Sequence, residues 1–204
     1  MTPETASIES EKLCRMAPVI PVLVIEDPAK ARPLAEALVR GGLPVLEVIR
    51  EMSQVEGGVV GAGTLLTPED VTNARTSGAR FGVSPGATDR LLQACEDEGL
   101  PLLPGAATAS EAMALLERGY RVQKFFPAEA NGGVPALKAI GAPIPQVKFC
   151  PTGGVSLKNA ETYLGLSNTL CVGGSWVAPK DAVDREDWAE IERLASEAAA
   201  LTRR

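Results

Sequence analysis

The run VQKFFPAE sets Lys124 two residues after Val122 and two before Phe126. Side chains alternate across an extended strand, so these three share one face. If that face is interior, an ammonium lies among apolar and aromatic groups. Burial disfavours the charged form of an amine. The neutral amine is a nucleophile for carbonyl carbon and forms a Schiff base. On the opposite face the same lysine would snorkel between helices and do no chemistry. Glu47 closes the apolar run LPVLEV and is a carboxylate inside such a run. Beside a lysine it can move protons between carbinolamine, enamine and substrate hydroxyl. The alternative is a structural buried ion pair with Lys124.

Other run ends carry weaker signals. Thr64 closes GGVVGAGT and either holds a substrate carboxylate or hydroxyl, or opens the turn into the next helix. Pro85 closes ARFGVSPG. The glycine-rich ends PTGG (Thr152, Gly153, Gly154) and GGS (Ser175) follow two successive runs. Backbone N–H groups left bare by glycine cradle phosphate, and Ser175 can add a hydrogen bond. Glycines there are equally plain turn formers.

These residues need elements to position them. Strand-like apolar runs recur at 19–25, 43–48, 57–64, 79–86, 100–106, 121–128, 146–154 and 169–177. They are nearly continuous in apolar residues, as parallel strands covered on both faces are. Helical segments separate most of them. DPAKARPLAEALVRGG has Asp27 to cap it, Pro28 in its first turn and a Gly41-Gly42 stop. Thr67 and Thr88 open two more, and Thr108-x-x-Glu111 is a capping box. GGVPALKAIG and SLKNAETYLG read as further helices, DREDWAEIERLASEAAALTRR as one long closing helix, and ASIESEKLCRM as a short leading one. Eight strands alternating with helices predict a single-domain (β/α)8 TIM barrel over 1–204, with an open doubly wound sheet as the alternative. In a barrel the chemistry sits at the C-terminal strand ends, which is where these residues lie.

Composition narrows the chemistry. The chain has no histidine, which excludes histidine bases, Ser-His-Asp triads and histidine-ligated zinc. The net charge of −6 and the lack of a basic run speak against nucleic acid and anionic membrane as partners. No apolar stretch is long enough to span a bilayer, and no leader is visible, so a cytoplasmic location is the expectation. Cys14, Cys95, Cys150 and Cys171 are dispersed and read as reduced core thiols. The aromatic residues Tyr120, Tyr163, Trp176 and Trp188 read as packing residues.

VGAGT, SPG, KFFPAEANGG, FCPTGG and CVGGSW together resemble the 2-keto-3-deoxy-6-phosphogluconate (KDPG) and 4-hydroxy-2-oxoglutarate aldolase family. The resemblance spans about Met16 to Trp176. It implies a homotrimeric barrel and a class I aldolase that uses no metal or other cofactor. It implies cleavage of a 2-keto acid, KDPG to pyruvate and glyceraldehyde 3-phosphate. It also implies roles: Lys124 for the Schiff base, Glu47 for acid–base work, Thr64 for the pyruvate carboxylate, and Pro85 and Phe126 for the walls. Thr152, Gly153, Gly154 and Ser175 would face the distal hydroxyls and phosphate. A barrel kept as a trimeric assembly subunit with weakened catalysis is the competing reading.

One stretch departs from the family pattern. After LEV, family members continue with an arginine four positions beyond the glutamate and an apolar helix. Here LEV runs into IREM, about ten residues short of a full βα unit. Arg50 is an odd offset from Glu47, so it points to the other face and does not inherit that arginine's carboxylate-binding role. Three explanations fit: a segment omitted from the sequence as printed, a true deletion, or a shifted helix alignment. The Cα–Cα distance from Val48 to Ile49 separates the first from the others.

Overall fold

A computed structural model describes residues 1–48 and 55–202. Ile49 and Arg50, and with them the Val48–Ile49 distance and the shortened βα unit, lie outside the described residues. In chain order the elements are α1 (Pro3–Met16), β1 (Val19–Leu23), α2 (Pro28–Arg40), β2 (Val45–Val48), β3 (Val59–Gly63), α3 (Pro68–Thr76), β4 (Gly82–Val83) and α4 (Asp89–Asp97). There follow β5 (Leu102–Leu103), β6 (Gly105–Ala106), α5 (Ala109–Arg118), β7 (Val122–Phe125), α6 (Gly133–Gly141) and β8 (Lys148–Pro151). The chain continues with α7 (Ala160–Leu164), β9 (Val172–Gly174), α8 (Lys180–Asp184) and α9 (Trp188–Ala199).

The strands form two parallel sheets, ordered β5-β4-β3-β2-β1-β9 and β6-β7-β8. β5 and β6 are one predicted run broken at Pro104, which has no N–H to give a ladder. Its carbonyl still accepts from the Lys124 N–H at 2.8 Å. At the other margin, bridges Phe149↔Thr169 and Thr152↔Gly173 tie the β8 segment to the β9 segment. The result is a curled parallel sheet wrapped by helices.

Alternation along the strands sorts side chains into two cores. Val45 and Leu46, Leu102 and Leu103, Phe149 and Cys150, and Cys171 and Val172 each split between them. One core lies between strands and helices, where Leu46 and Phe149 join Leu34 and Leu38 of α2. The other fills the concave side, where Ile20, Val45, Phe81, Val122 and Cys150 meet. Burial on both faces is why the runs read as continuously apolar.

The leading helix α1 is longer than ASIESEKLCRM suggests and docks at the N-terminal ends of strands. Ser7 Oγ donates to the Gly119 carbonyl at 3.0 Å and accepts from the Arg121 N–H at 2.9 Å, and Ser10 Oγ donates to the Leu102 carbonyl at 3.2 Å. Its Cys14 enters the concave core with Cys150 and Cys171. All four cysteines are buried thiols. Hydrogen bonds with Cys14 and Cys150, then burial, push the Cys171 thiol well up. Burial, then the Glu96 charge, pushes Cys95 up to about 12. Such thiols remain protonated and unreactive, as structural thiols do.

Helix ends follow local chemistry. Asp27 accepts from the Ala29 N–H at 2.9 Å, and Thr88 from the Leu91 N–H at 3.3 Å. Two expectations need correction. SLKNAETYLG is helical only over Ala160–Leu164, because Asn159 Oδ1 accepts from the Ser156 N–H at 2.7 Å and holds a turn ahead of it. The closing helix starts only at Trp188, behind a separate short α8 that ends at Asp184: Glu186 adopts a left-handed φ of 57°, and Asp187 restarts the chain by accepting from the Glu190 N–H at 3.2 Å.

The capping box of α5 is complete, with Thr108 accepting from the Glu111 N–H and Glu111 accepting from the Thr108 N–H. Replacing Thr108 by Ala is expected to cost about 1 kcal/mol in urea unfolding at neutral pH. The Glu111 carboxyl is held below its ordinary range, chiefly by the hydrogen bond from the Ala107 N–H, then by those from Thr108, against desolvation. A depressed carboxylate stabilises above its unfolded pKa and loses that contribution as pH falls through its folded one. The stability gap between the parent and Glu111→Gln should therefore close as pH is lowered from neutral towards about 3 in a series of urea titrations.

Candidate active site

Lys124 lies on β7, opposite Gly105 of β6 and Cys150 of β8. Glu47 lies on β2, opposite Val22 of β1 and Gly61 of β3. The two strands belong to different sheets, and both side chains point to the concave side. Lys124 Nζ donates to Glu47 Oε1 at 3.2 Å. Each residue is only 4% exposed. Nζ also stands 5.2 Å from the centre of the Phe126 ring, within cation–π range. The strand parity read from VQKFFPAE is therefore correct: Val122, Lys124 and Phe126 face inward, while Phe125 packs against the helices.

Small residues make room for this pair. A Cβ on Gly63 would lie 2.5 Å from Glu47 Oε1 and 2.8 Å from its Cγ. The carboxylate thus occupies volume that any side chain at position 63 would fill. The peptide joining Gly63 to Thr64 is cis, and Thr64 is exposed at the end of β3.

The remaining predicted residues ring the same strand ends. Pro85 is half-buried, and its carbonyl carbon and oxygen would lie 2.2 Å from a Cβ on Gly105, next to Lys124 in the ladder. Phe126 packs on the PTGG turn: a Cβ on Gly153 would meet its ring at 3.2 Å. Thr152 is buried, and its Oγ1 fills the space above Gly173, 2.3 Å from where a Cβ would lie. Gly154 and Ser175 are exposed at the rim. Trp176 folds over Gly174, so its ring replaces a side chain there. Arg50 falls outside the described residues, as does any substitute within 49–54 for the family arginine. Among the described residues no cluster of His, Cys, Asp or Glu is arranged to hold a metal ion.

Two contributions escaped the sequence reading. One is Gly63, whose need to be glycine depends on a carboxylate from another strand. The other is the hydroxyl of Tyr163 on α7, which donates to Glu129 Oε1 in the segment after β7. Burial first, then that hydrogen bond, raises the Tyr163 hydroxyl above its ordinary pKa. No periodicity marks a tyrosine as more than a packing residue when its partner comes from another loop.

Together the curled parallel α/β fold and a buried lysine–carboxylate pair at the C-terminal strand ends define an enzyme site suited to carbonyl chemistry. The model of the KDPG and KHG aldolase family matches residues 10–194. A 2-dehydro-3-deoxy-phosphogluconate aldolase of Pseudomonas aeruginosa is 48% identical, over 96% of this chain and 93% of that protein. The structure of the 2-keto-3-deoxy-6-phosphogluconate aldolase of Zymomonas mobilis ZM4 with 3-phosphoglycerate superposes with a TM-score of 0.91 at 46% identity, covering 97% of this chain and 98% of that one. A KDPG aldolase from Legionella pneumophila, with pyruvate captured as a covalent carbinolamine, gives 0.87 at 45% identity, covering 93% and 98%. The chain belongs to the KDPG and KHG aldolase family.

Gly63→Ala is expected to push the Glu47 carboxylate away from Lys124 in a crystal structure and to lower unfolding free energy by about 1–3 kcal/mol, the usual cost of overpacking. Gly86→Ala is the control, because a Cβ there meets nothing within 4 Å. It should leave stability within about 0.5 kcal/mol.

Proposed function

We propose that this protein is a class I aldolase that cleaves KDPG to pyruvate and glyceraldehyde 3-phosphate. The observation that carries the reading is the buried Lys124–Glu47 contact at 3.2 Å. A lysine with one carboxylate neighbour in a water-poor site can pass its proton to that neighbour and attack a carbonyl. Its amine adds to C2 of the substrate, giving a carbinolamine. Loss of water gives the iminium. Removal of the C4 hydroxyl proton then lets the C3–C4 bond break. The bonding pair moves onto C3 and the iminium nitrogen, and the aldehyde departs. Protonation of the resulting enamine at C3 and hydrolysis of the imine release pyruvate and restore Lys124. Glu47 is the group placed to carry these protons, directly or through a water.

The other roles are those that the family resemblance implies. Thr64 holds the carboxylate end, while Phe126 and Pro85 wall the reacting carbons. Thr152, Gly153, Gly154 and Ser175 receive the distal hydroxyls and phosphate. The Legionella relative's carbinolamine and the Zymomonas relative's 3-phosphoglycerate support the covalent and phosphate halves of the assignment. The family also takes its name from KHG, so 4-hydroxy-2-oxoglutarate, giving pyruvate and glyoxylate, is the second substrate to test. These observations favour an enzyme over a barrel retained only for assembly.

The finer architecture belongs to the same proposal. The eight strand runs close as one (β/α)8 barrel spanning 1–204. Support comes from the break at Pro104 alone between β5 and β6, and from the Thr152↔Gly173 bridge between the other margins. A homotrimer and a cytoplasmic location fit the family resemblance. Among the described residues no helix is long and apolar enough to cross a membrane.

Borohydride added with pyruvate should attach one reduced pyruvate to Lys124, seen by peptide mass spectrometry. Lys124→Ala should lose the adduct and the cleavage activity. Glu47→Gln should keep the fold and lower kcat by about 10²–10⁴. An adduct elsewhere, or none with active protein, refutes the assignment.

A further inference from the structure

The segment after β7 continues beside the segment after β8 beyond the last strand residue. The Thr152 N–H donates to the Phe125 carbonyl at 2.9 Å, the Ala128 N–H to Thr152 at 2.8 Å, and the Glu129 N–H to Gly153 at 3.0 Å. Glu129 then covers the glycine turn itself: its Cβ and Cγ would lie 2.7 Å from a Cβ on Gly154. Gly153 and Gly154 both adopt left-handed φ, 97° and 78°, so this turn has a conformation that other residues rarely take. A turn of two glycines is also the least restrained backbone available, and something must hold it in one geometry.

The carboxylate of Glu129 does not point freely into solvent. It accepts a hydrogen bond from the Tyr163 hydroxyl, and Tyr163 is fully buried on the helix that follows the turn. The start of α6 closes on the same pair. A Cβ on Gly133 would lie 3.3 Å from Glu129 Oε1 and 3.4 Å from the Tyr163 hydroxyl. The far side of the turn is fixed separately, by Asn159 Nδ2 donating to the Gly154 carbonyl at 3.3 Å. Four segments therefore meet around one side-chain hydrogen bond: the loop from the Lys124 strand, α7, the α6 start, and the PTGG turn packed on the Glu129 stem.

We infer that Glu129 and Tyr163 are positioning residues that hold the Gly153-Gly154 turn in register with Lys124, and thereby set affinity for the phosphorylated end of the substrate. This rests on the assignment of that turn to the phosphate. The pair touches neither Lys124 nor Glu47, so it acts on binding of the distal end and not on the Schiff-base steps. An uncharged acceptor at position 129 serves as well as a charged one, because the bond needs only an oxygen for the tyrosine proton.

The test compares cleavage of KDPG with that of its dephosphorylated counterpart, 2-keto-3-deoxygluconate, in the full-length protein. Glu129→Ala and Tyr163→Phe should each raise KM for KDPG about tenfold with kcat within about twofold, as loss of uniform binding does. KM for the dephosphorylated acid should stay within about twofold, and Glu129→Gln should behave like the parent for both. Glu129 is exposed, so its truncation carries the test even if Tyr163→Phe does not fold. Ser175→Ala separates the two ideas. If it discriminates between the substrates and the Glu129 variants do not, the positioning role is overturned. If Ser175→Ala does not discriminate either, the phosphate assignment fails and the positioning role falls with it. A matched loss on both substrates marks a merely structural contact and also overturns it.

Discussion

The rest of the structure is arranged around a charge pair in a place where charges are expensive. Taking a carboxylate and an ammonium out of water costs several kcal/mol each, and their attraction repays it only with good geometry. Lys124 and Glu47 meet that condition across the concave face of the curled sheet. Small residues nearby serve the contact: Gly63 leaves room for the carboxylate, and Phe126 offers its ring face to the ammonium. A structural ion pair could be replaced by apolar residues with little loss. One that exchanges protons with a bound carbonyl compound, as we propose for this pair, cannot be.

The same sheet separates stability from chemistry. Side chains facing the helices, such as Leu46, Phe125 and Phe149, form the larger core. On the concave side, Cys14 and its neighbours fill the part towards α1, and the polar pair occupies the strand ends away from it. The buried thiols there, Cys14, Cys150 and Cys171, fill volume in that apolar interior. The helix caps lie on the periphery, where local hydrogen bonds decide helix ends without reference to the site.

Glycine has two distinct uses here. At Gly63 and Gly174 it lets a side chain from elsewhere, Glu47 or Trp176, occupy the space of its missing Cβ. At Gly153 and Gly154 it gives the backbone a left-handed turn beside Phe126 and Glu129. The first use lets strands and side chains pack closely. The second creates a turn at the strand ends that other segments hold.

The sequence by itself determined what depends on neighbours along the chain. Apolar runs bounded by capping residues specify eight strand runs and most helices, because hydrogen bonding at a helix start is local. That Val122, Lys124 and Phe126 share one face follows from strand alternation alone; that this face is the concave one does not. Where local rules mislead, the cause is also local competition: Pro104 withdraws a donor from the fifth run, Asn159 turns the chain before α7, and Asp187 caps a new helix start. Tertiary structure alone decided that Glu47 meets Lys124, 77 residues away, and that Tyr163 meets Glu129, 34 away. Those meetings depend on how far the sheet curls and which strand ends it brings face to face. That curvature is the sum of many small strand twists and is written in no single stretch of residues.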